Sequence, residues 1–425
     1  MRILTLLVLA LFASNIYCQD IDYARSVLDT LCSEHFDGRG FYNDGEKRSA
    51  DFIKNEYETF GLQKFDDSYF QSFNLSVNSI VGKVVLKVDQ KELEPGVDFQ
   101  IDPSSPTFNG TEEVLYLKKE ELVSIDKLKK AIRQASGKML AINQVLIKDE
   151  SKEIKGQIYE FIRFLKFSPD SPAKGVIEII EEKLTFTASQ QKAEHPHIVV
   201  LEKNFPANTK KVEIRIENEF VKDYQSQNVI GYLEGAVKDS FICIIGHYDH
   251  LGRMGDDVYF PGANDNASGI AMLLSLAKEL STEDLHYSIA FIAFGSEEIG
   301  LVGSKTYTEN PIFPLSQIDF LINLDILGTG DDGIQVVNGK EYKTEFDRLV
   351  SLNADSDYLK QVKIRGSACN SDHCFFHEKG VPSFFIYTLG GIAHYHNIYD
   401  KAETLPLTEY EDLFRLLKQF IVEKR

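Results

Sequence analysis

The sequence predicts an α/β protein: a three-layer sandwich on a mostly parallel central sheet, with a β-rich accessory domain inserted into it. Three observations carry this. From Asn228 onward, short apolar runs alternate with stretches of helical spacing, the pattern of strand–helix–strand units. Between about 80 and 220 that alternation gives way to short strands with only one or two helices. Polar residues of the types that do chemistry stand just past the apolar runs, where open α/β sheets bind ligands.

Taken in order, the chain of 425 residues opens on Arg2 and the apolar run Ile3 to Ala13. That run has the length and flanks of a signal peptide and is too short to span a bilayer. Residues 1–18 are expected to be removed near Cys18-Gln19, giving an exported protein, secreted or periplasmic, without a lipid anchor or membrane anchor. Residues 19–79 form the first part of the main domain. Ile21, Ala24, Val27, Leu28 and Leu31 fall at helical spacing, Gly38-Arg39-Gly40 interrupts, and Ala50, Ile53, Tyr57 and Phe60 resume it. Tyr69 to Val77 alternates and reads as a strand. Residues 80–220 are the insert, with strands expected at 84–88, 113–117, 138–142, 175–180, 197–201 and 212–216 and helices near 119–135 and 153–166. A plain extension of the main sheet is the alternative. Residues 221–425 complete the main domain, with strands at 229–233, 241–245, 287–294, 320–324, 334–337 and 383–387. Helices are marked by Ile270, Leu273, Leu274, Ala277 and Leu280 and by Leu413, Leu416, Leu417 and Phe420.

Apolar content of 43% and charged content of 26% suit a soluble globular chain. A net charge of −19 argues against nucleic acid or an anionic membrane as partner. Past residue 18 the cysteines are Cys32, Cys243, Cys369 and Cys374. The last two are close enough for a local bridge or can be free thiols, and Cys243 reads as a small buried hydrophobe.

The chemistry collects at strand ends. His247 and Asp249 follow the run Phe241–Ile245; two apart, they share a face of an extended chain, so Asp249 can hold one ring nitrogen of His247 while the other binds a metal. Asp265 stands at the threshold of a helix, Glu297-Glu298 follow the strand 287–294, Asp325 follows 320–324, and His394 and His396 follow 383–387. Singly, these read as an N-cap, first-turn charges, a turn residue and surface histidines. Together they would crowd carboxylates that repel one another. Bound divalent cations resolve that conflict. Two His and three carboxylates suit two zinc ions if one carboxylate bridges them. Zinc brings the pKa of bound water to about 7, and one of the adjacent glutamates, held off the metals, can then handle the proton.

The ordered set GHYDH, PGANDNASG, SEEIGLVGS, NLDILG and YHNIYD resembles the exported co-catalytic zinc aminopeptidases, the group of bacterial leucyl aminopeptidase and aminopeptidase Y. Phe36-Asp37-Gly38-Arg39-Gly40 is similar to a segment near the start of such enzymes, and the insert resembles their protease-associated domain. The resemblance implies a zinc-peptidase fold and two Zn2+ per chain. His247 and Asp325 would bind one zinc, Glu298 and His396 the other, and Asp265 both. Glu297 would be the general base and then acid, Asp249 would orient His247, and Tyr395 would help hold the tetrahedral intermediate. His396 fits the family spacing to Asp400 better than His394 does. Ser371-Asp372-His373 would shape the pocket. The substrates implied are peptides with a free N-terminus, cut one residue from the amino end.

Rival readings are a single-zinc glutaminyl-peptide cyclotransferase, a carboxypeptidase of the same superfamily and a binding module on a decayed peptidase fold. The first typically lines its pocket with tryptophan, and this chain has none. The second needs a cationic clamp, for which Arg365 and Arg253 are candidates. The third is expected to have lost ligands, and none is missing here.

Overall fold

The computed structural model describes residues 21–424; the signal peptide expected over 1–18 lies outside the described residues. Four parallel strands make the centre of the sheet. Val237–His247 lies between Tyr287–Phe294 and Ile318–Leu324, and Ser383–Thr388 pairs with the far side of Ile318–Leu324. Antiparallel strands flank them: Lys211–Leu233 beside Tyr287–Phe294, and Ile334–Val337 beside Ser383–Thr388.

The layers follow from alternation of side chains along each strand. Ile242 and Ile244 face one core, shared with the helices Ile21–Leu31, Gly45–Thr59, Ser268–Leu280 and Tyr410–Val422. Phe241, Cys243 and Ile245 face the other, shared with Tyr307 of the helix Val302–Glu309 and Phe376 of the helix His373–Glu378. Helices thus cover both faces, which is why the central strands are continuous apolar runs rather than alternating ones. Among the described residues no helix is long and apolar enough to cross a membrane.

The boundaries expected at 80 and 220 fall inside two long strands. Phe70–Val88 and Lys211–Leu233 pair antiparallel from Phe70↔Val229 to Val88↔Val212, with register shifts between Leu75 and Val77 and between Val81 and Val85. The second of them joins the central sheet at one end and Phe108–Tyr116 at the other. From there the insert's sheet runs parallel through Met139–Asn143, Gly175–Ile180 and His197–Leu201. The helices Ile125–Gln134 and Lys152–Phe167 cover one face of it. Its other face packs against Leu251, Met254, Val258 and Phe260 of the main domain.

The break expected at Gly38-Arg39-Gly40 has a steric cause. Gly38 has φ +61°, and a Cβ there would lie 2.5 Å from the carbonyl oxygens of Gly252 and Phe260. The chain turns so tightly against the 250s loop that only glycine fits. Cys369 and Cys374 form a disulfide, and Cys32 and Cys243 are free and buried.

Candidate metal centre

The parallel strands deliver their carboxyl ends to one rim. His247 ends Val237–His247, and Asp325 follows Ile318–Leu324 directly. After Tyr287–Phe294 the chain turns at Ser296, φ +59°, and presents Glu297 and Glu298. Asp265 lies in the tight turn Ala263–Ala267 that opens the helix Ser268–Leu280. His396 sits on the irregular loop after Ser383–Thr388. These six side chains meet.

His247 Nε2 is 3.4 Å from Asp265 Oδ1 and 3.5 Å from Asp325 Oδ1. His396 Nε2 is 3.1 Å from both Asp265 Oδ2 and Glu298 Oε2. The two oxygens of Asp265 therefore face different imidazoles. His394 is exposed and lies outside the cluster.

The donor set fits a divalent cation such as zinc. Donor atoms of His247, Asp265 and Asp325 lie within 4.8 Å of one another, as do those of His250, Asp265 and Glu298. Asp325 Oδ1 is buried with no hydrogen-bond partner, the mark of an oxygen that expects something other than a protein donor. The protonation balance points the same way. Against the opposing effect of burial, the surrounding carboxylates raise His247 well above the ordinary imidazole range and push His396 up to about 11. The site demands positive charge, and imidazole and carboxylate are ordinary zinc ligands.

Several buried groups hold this cluster. The Asp249 carboxylate accepts from the main-chain N–H of Glu297 at 2.9 Å and of Glu298 at 3.1 Å. His247 Nδ1 lies 3.2 Å from the main-chain oxygen of Asp249 but 3.7 Å from its carboxylate. The carboxylate thus grips the glutamate turn, and the carbonyl is the nearer partner of the ring. Asp400 accepts from the N–H of Asn264 and of Asp265, pinning the turn that carries Asp265. Ser371 Oγ donates to Asp325 Oδ2 at 2.9 Å. Arg39, fully buried, donates to the main-chain oxygens of Tyr248, Pro261 and Gly262, tying the two loops together.

Two residues at the site received no role of their own from the sequence. His250 Nδ1 lies 2.6 Å from Glu298 Oε1. Strand alternation places His250 opposite Asp249, but the strand ends at His247 and the chain then turns, bringing both inward. Asp372 is buried beside the cluster, its carboxyl pushed up to about 7 by burial and by the charges of Asp249 and Asp325, with His247 opposing.

Burial also pushes the Glu297 carboxyl well above the usual range; Glu298, Asp372 and Asp325 add to this and His247 opposes it. Its side chain makes no hydrogen bond among the described residues. The cluster floors a cavity of about 280 Å³ whose other wall includes Arg365, Phe385, Tyr387 and Tyr395. Tyr395 is 44% exposed and stacks on the His396 ring, centroids 3.8 Å apart. Arg365 Nη1 donates to the Tyr387 hydroxyl at 3.2 Å, and no carboxylate among the described residues pairs with it. Arg253 instead pairs with Asp37.

The family model for peptidase family M28 matches residues 228–421, the stretch that contains the whole cluster. That segment belongs to peptidase family M28. Aminopeptidase YwaD of Bacillus subtilis is 28% identical over 211 residues, 47% of this chain and 44% of that protein. Rat aminopeptidase NAALADL1 is 33% identical over 130 residues, 29% of this chain and 16% of that protein. The chain thus spans less than half the length of these M28-like relatives. In fold, BSAP, a zinc aminopeptidase from Bacillus subtilis, superposes with a TM-score of 0.70 at 22% identity, covering 95% of this chain and 94% of that one. An aminopeptidase from Aneurinibacillus sp. strain AM-1 gives 0.64 at 21% identity, covering 96% and 97%. The M28 match leaves out the insert, Arg39 and the first helices.

Proposed function

We propose that this chain is an exported zinc aminopeptidase that removes one residue from the amino end of peptides. The observation that carries the reading is Asp265, whose two oxygens each face a different imidazole beside an unengaged Glu297. In this reading His247 and Asp325 hold one zinc, Glu298 and His396 a second, and Asp265 both. Bound zinc would supply Lewis-acid polarisation of a carbonyl and bring the pKa of water to about 7.

The chain's own residues do the rest. Glu297 takes a proton from the attacking water and returns it to the departing amine, and its raised carboxyl pKa suits a group that must both accept and donate. Asp249 fixes its main chain while that happens. Tyr395, on the cavity wall, is assigned to the oxygen of the scissile carbonyl, where charge develops. Four carboxylates on the cavity floor favour a substrate's ammonium end over a carboxylate end. The insert, in this reading, is a protease-associated-type domain.

One observation favours a second reading: Arg365 places a cation on the opposite wall, as a carboxypeptidase would require. Metal analysis paired with a panel of aminoacyl-anilides and N-blocked peptides separates the two. Glu297→Gln should keep zinc and lose 10²–10⁴-fold in kcat, the usual worth of a general base. His247→Ala and Asp325→Ala should lose metal. Near-normal rates in Glu297→Gln would overturn the assignment of the base, and preference for N-blocked peptides would overturn the aminopeptidase reading.

A further inference from the structure

His247 and His396 face the same requirement: Nε2 must point into the carboxylate cluster, so something must hold Nδ1. For His247 the holder is local, the carbonyl of Asp249 two residues on. For His396 it is the carbonyl of Phe186, 3.1 Å from Nδ1 and 210 positions away, in the insert. The contact is reciprocal, because Phe186 N–H donates to the main-chain oxygen of His396 at 2.9 Å. A carbonyl only accepts, so Nδ1 must carry hydrogen, and Nε2 is the nitrogen left to offer a lone pair.

His396 needs such a brace. It sits on a loop without regular structure and holds φ +53°, a left-handed conformation that a non-glycine residue keeps only when its surroundings fix it. The brace is itself anchored. The Phe186 ring stacks on Phe260, centroids 4.5 Å apart and 5° from parallel, inside the core shared by the insert and the 250s loop. Lys183 donates to the carbonyl of Ala393, and Gln190 Nε2 donates to that of Ile299 at 2.9 Å. One insert loop therefore grips both segments that supply Glu298 and His396.

We propose that Phe186 is a positioning residue for the metal centre: the insert fixes the tautomer and aim of His396, and with them the site formed by His396, Glu298 and Asp265. The proposal rests on the two-zinc reading above. Partners of this kind around a metal-ligating histidine are worth about 10–100-fold in metal affinity.

The test is a zinc titration in chelator-buffered solution on the full chain, with Phe186→Ala to remove the stack and Phe186→Tyr to retain it. Phe186→Ala should weaken one of two zinc sites by about 10–100-fold, leave the other unchanged, and lower kcat more than it raises KM; Phe186→Tyr should match the wild type. Equal affinities in wild type and Phe186→Ala, or equal weakening of both sites, overturn the proposal. Hydrogen exchange on the wild-type protein needs no variant. Zinc should increase protection of the amides at 184–187, and no change there overturns the proposal as well. A wild-type chain that takes up no zinc sinks the functional reading instead, so the two failures are distinct.

Discussion

Asp249→Asn separates two accounts of the same residue. A carboxylate two residues from His247 reads, from the sequence, as the group that orients that ring, and its loss should then release metal. The distances assign it elsewhere: the carboxylate bonds the N–H groups of Glu297 and Glu298, while the ring faces the Asp249 carbonyl, which the substitution keeps. Asn offers one oxygen where the carboxylate offers two, so one of those main-chain donors loses its partner in a fully buried position. A hydrogen bond to a charged group is worth about 1.5–3 kcal/mol. If that loss falls on the placement of Glu297, kcat drops roughly 10–100-fold at about 1.4 kcal/mol per decade. Glu298 is held a second time by His250, so its displacement should be the smaller. The expected result is zinc content near the wild-type value with kcat reduced by one to two decades, read by metal analysis and anilide hydrolysis on the same sample. Loss of zinc with turnover per bound metal unchanged would refute the reasoning.

Other outcomes follow from groups away from the floor of the cavity. Glu46 is fully buried and raised to about 8, mainly by burial and then by Asp249, although Ser226 and Ser296 donate to it. The folded state then binds its proton more tightly than the unfolded state, so stability falls as pH rises from about 4.5 to about 8. Glu46→Gln should flatten that slope in denaturant titrations, by a few kcal/mol across the window. In the insert, His197 is clamped between Asp102 at 3.1 Å and Glu178 at 2.9 Å. Against burial, which pulls the other way, these partners hold His197 above its usual range, and His197 holds both carboxyls below theirs. The imidazole's contribution is complete below about 6.5 and fades as pH rises through its raised value; the carboxylates' contribution is present above about 4 and fades in acid. His197→Gln should therefore cost about 3 kcal/mol near pH 5–6, less in strong acid, by thermal unfolding of the whole chain; an effect independent of pH would argue against the clamp. Arg365→Leu should lower kcat/KM for glutamyl-anilide relative to leucyl-anilide about 2–5-fold, the size of an exposed ion pair. An unchanged ratio would show that Arg365 does not meet the side chain.

The central sheet was legible because its strands are buried on both faces. The apolar runs at 241–245, 287–294, 320–324 and 383–387 needed no partner to be recognised, and the structure extends them by only a few residues. The long strands were not legible as single elements. Asn218, Glu219, Lys222 and Asp223 interrupt the apolar alternation of Lys211–Leu233, because there the ribbon is partly exposed between the two cores and its continuity is set by cross-strand bonding to Phe70–Val88. The cluster was legible because each of its residues follows a strand or opens a helix. The supports were not. Arg39, Glu46 and Phe186 come from far along the chain, and Phe186 acts through its main chain, which no side-chain pattern records. His250 escaped because a period-two argument stops where the strand does.

The paired strands Phe70–Val88 and Lys211–Leu233 have a mechanical consequence. A unit tethered by two flexible linkers can swing; one joined by an unbroken ladder of main-chain bonds can only bend with its ribbon. The two places where the pairing slips, near Leu75–Val77 and Val81–Val85, are its compliant points, since a bulge frees backbone groups and increases local twist. Any change in clearance above the cavity then arises as a small flexure at those slips, transmitted to the loop that touches His396, rather than as the opening of a hinged cover.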